Sequence, residues 1–283
     1  MIETPLADVD AWVNHFSAHE LPVLRHTRQQ LDEAAARMGA VSGREIAGIV
    51  LRDPLLAVRV LRYIQPLTGR RLHHDVATIA GSIMMLGVEP FFRHFEWLPT
   101  LEDQLKSAPQ ALLGAVQVIQ RAQRAARYAY EWALWRKDLD VEEVTLAALL
   151  HDLAEILLYA FAPKLALALR DRQRDDPALR SAVAQESVLG LRLLAIQGAL
   201  CRVWHVPELL RTLIDDEHAE QPRVKNVALA VALARHLAHG EQDAALPDDL
   251  KAIGKLLNLS ESALNERLGL GLAPPAPEVP KNG

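Results

Sequence analysis

Apolar residues return every third or fourth position along most of the chain and seldom alternate with polar ones, which is the spacing of helices that each bury one stripe. Leu55, Val58 and Leu61 make one such stripe, with Arg59 and Arg62 expected on the solvent side. The spacing predicts an all-α fold. Helix starts are marked by Ser42 with Glu45 three residues on, by Asp53 before Pro54, by Asp176 before Pro177, and by Asp140 ahead of Glu142 and Glu143. A helix over 76–86 should stop at Gly87, and longer ones are expected near 111–136, 141–161, 178–204 and 223–239. Pro99 and Pro109 bracket an acidic stretch, 98–108, that reads as the connection between two helical lobes. After a linker at 240–247, residues 248–270 form a short helical extension, and the proline-studded tail 271–283 is expected to be disordered.

Half of the 283 residues are apolar, enough for a large buried core. The densest apolar runs, Val144–Leu150 and Ile156–Pro163, are separated by His151, Asp152 and Glu155, and neither reaches the ~18 residues of a membrane span. No membrane association is expected. Glu3, Asp8 and Asp10 stand where an export signal would be basic. With Lys+Arg 31 against Asp+Glu 36 the net charge is -5, which disfavours nucleic acid as a partner. Cys201 is the single cysteine, so neither an intramolecular disulfide nor a cysteine-rich zinc site can form, and the expected compartment is the cytoplasm.

His151-Asp152 places two ionisable groups between those apolar runs, where burial demands partners or a metal. The dipeptide alone is weak evidence, since His74-Asp75 repeats it in a polar loop. Its surroundings are more specific. The run Ala147-Ala148-Leu149-Leu150-His151-Asp152-Leu153-Ala154 resembles the metal-binding helix of the HD superfamily of phosphohydrolases. Leu21-Pro22-Val23-Leu24, then Ile49-Val50, Asp53-Pro54-Leu55 and Val60-Leu61, then Val76, Ile79, Ile83 and Leu86-Gly87, and finally Glu186, Gly190, Trp204 and Pro207 are similar, in order, to the signature of HDOD domains. The resemblance covers residues 14–240. It implies an HD-like helical domain with an N-terminal lobe at 14–98 and a second lobe at 108–240, of a kind generally regarded as noncatalytic bacterial signalling modules.

The resemblance also implies where a hydrolase would keep its metal ligands: a first His on the helix before the His-Asp pair, further His residues, and a closing Asp. No histidine lies between Phe95 and Leu150, Leu193 stands near the place of a later His, and 223–240 holds no Asp or Glu. Glu217-His218 occupies a final His-His position. His151, Asp152 and His218 are thus vestigial candidates, with no catalytic residue, metal or cofactor assigned. His151 and Asp152 are expected to be a satisfied polar pair, hydrogen-bonded to helix neighbours or to a nearby arginine. Upstream, Gln65-Pro66 replaces the Asn-Ser that commonly follows the Asp53-Pro54 to Val60-Leu61 helix in the family.

Two basic surfaces are candidates for partner binding. One is the loop of Arg70, Arg71, His73 and His74, favoured because Gly69 leaves it adaptable. The other is an Arg121, Arg124 and Arg127 face interleaved with Tyr128, Tyr130, Trp132 and Trp135. Either suits an acidic protein surface, a small acidic ligand or a cyclic dinucleotide. Residues 250–268 vaguely resemble a helix-turn-helix, but Glu261 and Glu266 against Arg267 argue against a groove-reading helix. Three functions follow in order: a noncatalytic module that binds signalling proteins, a degenerate metal-dependent phosphohydrolase, and a DNA-associated regulator.

Overall fold

A computed structural model describes residues 2–68, 77–176, 179–215 and 220–269. Arg70, Arg71, His73, His74, His218 and the tail 271–283 lie outside them. The helices are α1 (Val9–Ser17), α2 (Arg25–Ala35), α3 (Gly43–Val50), α4 (Pro54–Thr68), α5 (Ile79–Leu86), α6 (Val88–His94), α7 (Leu101–Gln104), α8 (Pro109–Trp135), α9 (Val141–Leu150), α10 (Leu153–Phe161), α11 (Pro163–Asp175), α12 (Ser181–Leu189), α13 (Leu193–Val203), α14 (Glu208–Ile214), α15 (Pro222–His239), α16 (Leu246–Leu257) and α17 (Glu261–Leu268). Among the described residues there is no strand, only an isolated bridge between Val23 and Thr100. The fold is all-α, as the spacing predicts.

That bridge explains the opening Leu-Pro-Val-Leu motif. The Val23 amide donates to Pro99 O and its carbonyl accepts from Leu101 N, so the entry segment is stitched to α7, a helix inside the stretch read as a connection. Leu24 N donates to Asp53 Oδ2, while Asp53 Oδ1 accepts from Leu55 N and Leu56 N. Asp53 is therefore both the cap of α4 and a clamp on the entry segment. Burial pushes its carboxyl up against the pull of these bonds.

Helices α2 to α6 pack around one another, and the second group is centred on the 27-residue α8, against which α9, α10, α11 and α15 lie. One hydrophobic core runs through both groups, from Trp12 to Leu264. The groups are also joined through polar contacts of α1, which packs on α13. Trp204 Nε1 donates to Ser17 Oγ at 2.8 Å, Arg62 Nη2 donates to Ser17 O at 3.1 Å, and the Arg62 guanidinium lies over the Trp204 ring. Arg62 and Arg59 thus do not face outward as the apolar stripe suggests. Arg59 is largely buried, beside Glu20 and bonded to Leu21 O. Stripe reasoning misses this because long basic side chains can lay their stems over apolar surface and reach carbonyl groups of other segments, here Leu21 O and Ser17 O.

Three predicted spans differ from those observed. The 178–204 helix is split into α12 and α13 at Gly190, whose φ of 74° closes α12 in the left-handed region. The 76–86 helix begins at Ile79, capped by Thr78 Oγ1, and ends as expected at Gly87. The 141–161 helix is broken at His151-Asp152. As one span, Val141–Phe161 would be long and apolar enough to cross a membrane, but 78% of its apolar window is buried in this fold, as the central core element.

Candidate functional site at a helix break

At the end of α9 the chain turns through His151 and Asp152 before α10 begins at Leu153. A break inside the core strands backbone groups that an uninterrupted helix would pair. Gln197, on α13 and 3% exposed, meets that need: its Nε2 donates to Leu150 O at 2.8 Å and its Oε1 accepts from Ala154 N at 2.7 Å. One amide side chain substitutes for the missing helical bonds. The break in turn points the Asp152 carboxylate between α8 and α15 instead of along the helix.

There it is clasped by two arginines. Arg121 of α8 donates Nε and Nη2 to Asp152 Oδ2, at 3.0 and 2.7 Å, and Nη2 also reaches Glu155 Oε2 at 2.6 Å. Arg235 of α15 donates Nη2 to Asp152 Oδ1 at 3.1 Å, and His151 Nδ1 lies 3.1 Å from the same oxygen. The Asp152 side chain is 9% exposed, Arg121 14% and Arg235 40%, so the clasp is deep on the α8 side and open on the α15 side. Burial alone would raise the Asp152 carboxyl, but Arg235 and Arg121, with help from His151, hold it well below the usual carboxylate range. Burial likewise works against the charge on Arg121, yet Glu155 and Asp152 raise its pKa further. Next to the cluster, burial and the neighbouring Glu155 push the Tyr159 hydroxyl up to about 12, so it stays neutral.

This donor set does not fit a divalent cation. Both Asp152 oxygens are engaged by guanidinium groups, and among the described residues no three His, Cys, Asp or Glu side chains converge on one point. The helix before the His-Asp pair and the closing helix, which the resemblance marks as the source of metal ligands, each deliver an arginine.

His151 and Asp152 come together with Arg121 as a satisfied polar cluster, the arrangement expected for the pair. The proposed face of Arg121, Arg124 and Arg127 is corrected: Arg121 turns inward to the clasp, while Arg124 and Arg127 are exposed. The three share a sequence spacing but not a surface, because a buried carboxylate holds the first. Tyr128 and Trp132 are core residues, Tyr130 is exposed, and Trp135 lies under the Arg267 guanidinium of α17. Sequence reasoning missed Gln197 and Arg235. The polar Gln197 on the apolar helix Leu193–Val203 was the available signal for the first, and an arginine in a closing helix lacking acids for the second.

A helical domain built around a His-Asp turn, with an Asp-Pro helix start clamped to a Leu-Pro entry segment, defines an HD-like class of fold. The chain belongs to the HDOD domain family, whose model matches residues 21–220. Solved structures share the fold. The MmoQ response regulator of Methylococcus capsulatus str. Bath is 18% identical, with a TM-score of 0.65 over 88% of this chain and 98% of that one. A virulence factor of Campylobacter jejuni subsp. jejuni is 20% identical, with a TM-score of 0.65 over 93% and 92%. No curated protein sequence matches significantly.

Proposed function

We propose that this protein is a noncatalytic bacterial signal-transduction module that acts in the cytoplasm by binding other signalling proteins, in a two-component or cyclic-dinucleotide pathway. The observation that carries the reading is the double-arginine clasp on Asp152. A guanidinium supplies positive charge where a hydrolase holds a metal, but it has no open coordination position, lowers no water pKa and cannot generate a hydroxide nucleophile. The ion pairs leave the aspartate a structural role, tying α8, the α9–α10 turn and α15 together. The family and the response-regulator name of a protein of the same fold support a place in signalling.

The test is hydrolysis of bis(p-nitrophenyl) phosphate and of cyclic di-GMP by the full chain with Mn²⁺ or Mg²⁺. The reading expects no turnover above buffer. Metal-dependent hydrolysis that disappears in Asp152→Asn would establish the degenerate-phosphohydrolase alternative instead.

A further inference from the structure

The helices that follow Gly240 form an extension docked on α15. Helix α16, which packs on α15, buries Leu246, Leu250 and Ile253 along one face, α17 buries Leu264, and the Arg267 guanidinium lies over the Trp135 ring. Around that apolar contact the charged ties are of one kind. His236 Nδ1 of α15 lies 2.5 Å from Asp249 Oδ2 of α16, both side chains mostly buried, and His239 Nδ1 lies 3.1 Å from Oδ2 of Asp243 in the connecting turn. Asp243 Oδ1 accepts from Ala245 N, and this bond together with His239 holds its carboxyl below the usual carboxylate range at the point where α16 begins.

Toward the rest of the fold α15 is tied by arginine instead: Arg223 pairs with Asp138 and Glu143, and Arg235 with Asp152. Among the described residues no arginine or lysine of α15 pairs with the extension. The difference matters because arginine keeps its charge throughout, whereas histidine changes charge between about pH 5 and 8. A carboxylate only accepts, so each Nδ1 carries its hydrogen in both charge states and the second proton enters at Nε2. Losing that proton leaves the hydrogen bond in place without its charge assistance, at about half its strength. Other charges at this end of α15 do not take over. Glu241 follows it and lines a groove with Arg124 and Arg127 of α8, and Asp248 stands beside Asp249 in the first turn of α16, but none of them pairs with Asp243 or Asp249. Glu143 of α9 is engaged by Arg223, about 20 Å along the helix, and among the described residues α14 brings α15 no ion pair.

We propose that these two imidazoles make the docking of the C-terminal extension pH-dependent, with α16 and α17 held firmly on α15 while His236 and His239 are protonated and released more often as pH rises through the histidine range. His236 carries most of the effect, since His239 is exposed and exposed pairs contribute little. Release lifts Arg267 from Trp135 and uncovers the apolar surface under Leu246, Leu250 and Ile253.

Hydrogen exchange of the full chain, read by mass spectrometry at about pH 5.5 and about pH 8.5 and corrected for the intrinsic pH dependence of amide exchange, tests it. Opening of 246–257 should rise by about fivefold or more at the higher pH while α8 stays unchanged. His236→Gln/His239→Gln keeps a donor that cannot become charged and should flatten the dependence. Should that double variant fail to fold, Asp249→Asn must flatten it. No rise in the wild type, the same rise in the variants, or opening of α8 in parallel with α16 would overturn the proposal.

Discussion

Asp152→Asn keeps the size of the side chain while removing the charge on which the clasp depends. Three guanidinium hydrogen bonds end on this carboxylate, at 3.0, 2.7 and 3.1 Å. Bonds to charged groups contribute about 1.5–3 kcal/mol each, but their sum overstates the loss. Arg121 retains Glu155 at 2.6 Å, and Arg235, 40% exposed, is rehydrated when released. The net expectation is a loss of about 2–3 kcal/mol, or about 4–12 °C in melting temperature for a chain of this size. Urea unfolding followed by circular dichroism gives the energy, and a cycle with Arg121→Met should show coupling of about 1 kcal/mol or more. The folded chain holds Asp152 ionised below the range where the unfolded chain takes up a proton. Its stabilisation is therefore complete above the unfolded pKa of about 3.9 and fades as pH falls through the lower folded value. The gap between wild type and variant should stay constant around neutrality and narrow only in acid. A loss below about 0.5 kcal/mol, or strict additivity with Arg121→Met, would refute the reasoning.

Gln197→Leu should cost about 2–4 kcal/mol, because it strands both Leu150 O and Ala154 N in the core, and Gln197→Glu should not restore the bond to the carbonyl; urea midpoints check this. Gly114→Ala should destabilise by about 1–3 kcal/mol, since a Cβ there would run into Tyr159 Cε1 and Cζ. Tyr159→Phe keeps both carbons and should not rescue the melting temperature, whereas Tyr159→Leu should do so in part. Asp53→Asn should cost about 1–3 kcal/mol, because an amide nitrogen in place of Oδ2 would face the Leu24 N–H donor to donor, and hydrogen exchange should rise at Leu24.

Much of the fold was legible because helix period and caps are local. Ser42 accepts from Glu45 N and Asp53 caps α4, as their spacing predicts. The break at His151-Asp152 was not legible, since nothing in Ala147–Ala154 disfavours a continuous helix. It is stabilised by Gln197, 43 residues beyond Ala154, and such a partnership has no local signature. The split at Gly190 had one, a glycine inside a predicted helix, but a single glycine does not by itself end one. The candidate site was half visible: the pairing of His151-Asp152 with some arginine followed from the cost of burying charge, whereas its identity depended on how α8 and α15 approach the turn. The reading of Arg121 as a surface residue failed for the same reason.

Metal content tests the central claim most directly. The full chain, purified without chelator and dialysed against Mn²⁺, Zn²⁺ or Fe²⁺, should carry well under one metal ion per chain by elemental analysis, because the guanidinium groups of Arg121 and Arg235 occupy the oxygens a cation would need. About one or two ions per chain, lost in Asp152→Asn, would contradict it and return the site to the metal-dependent hydrolases.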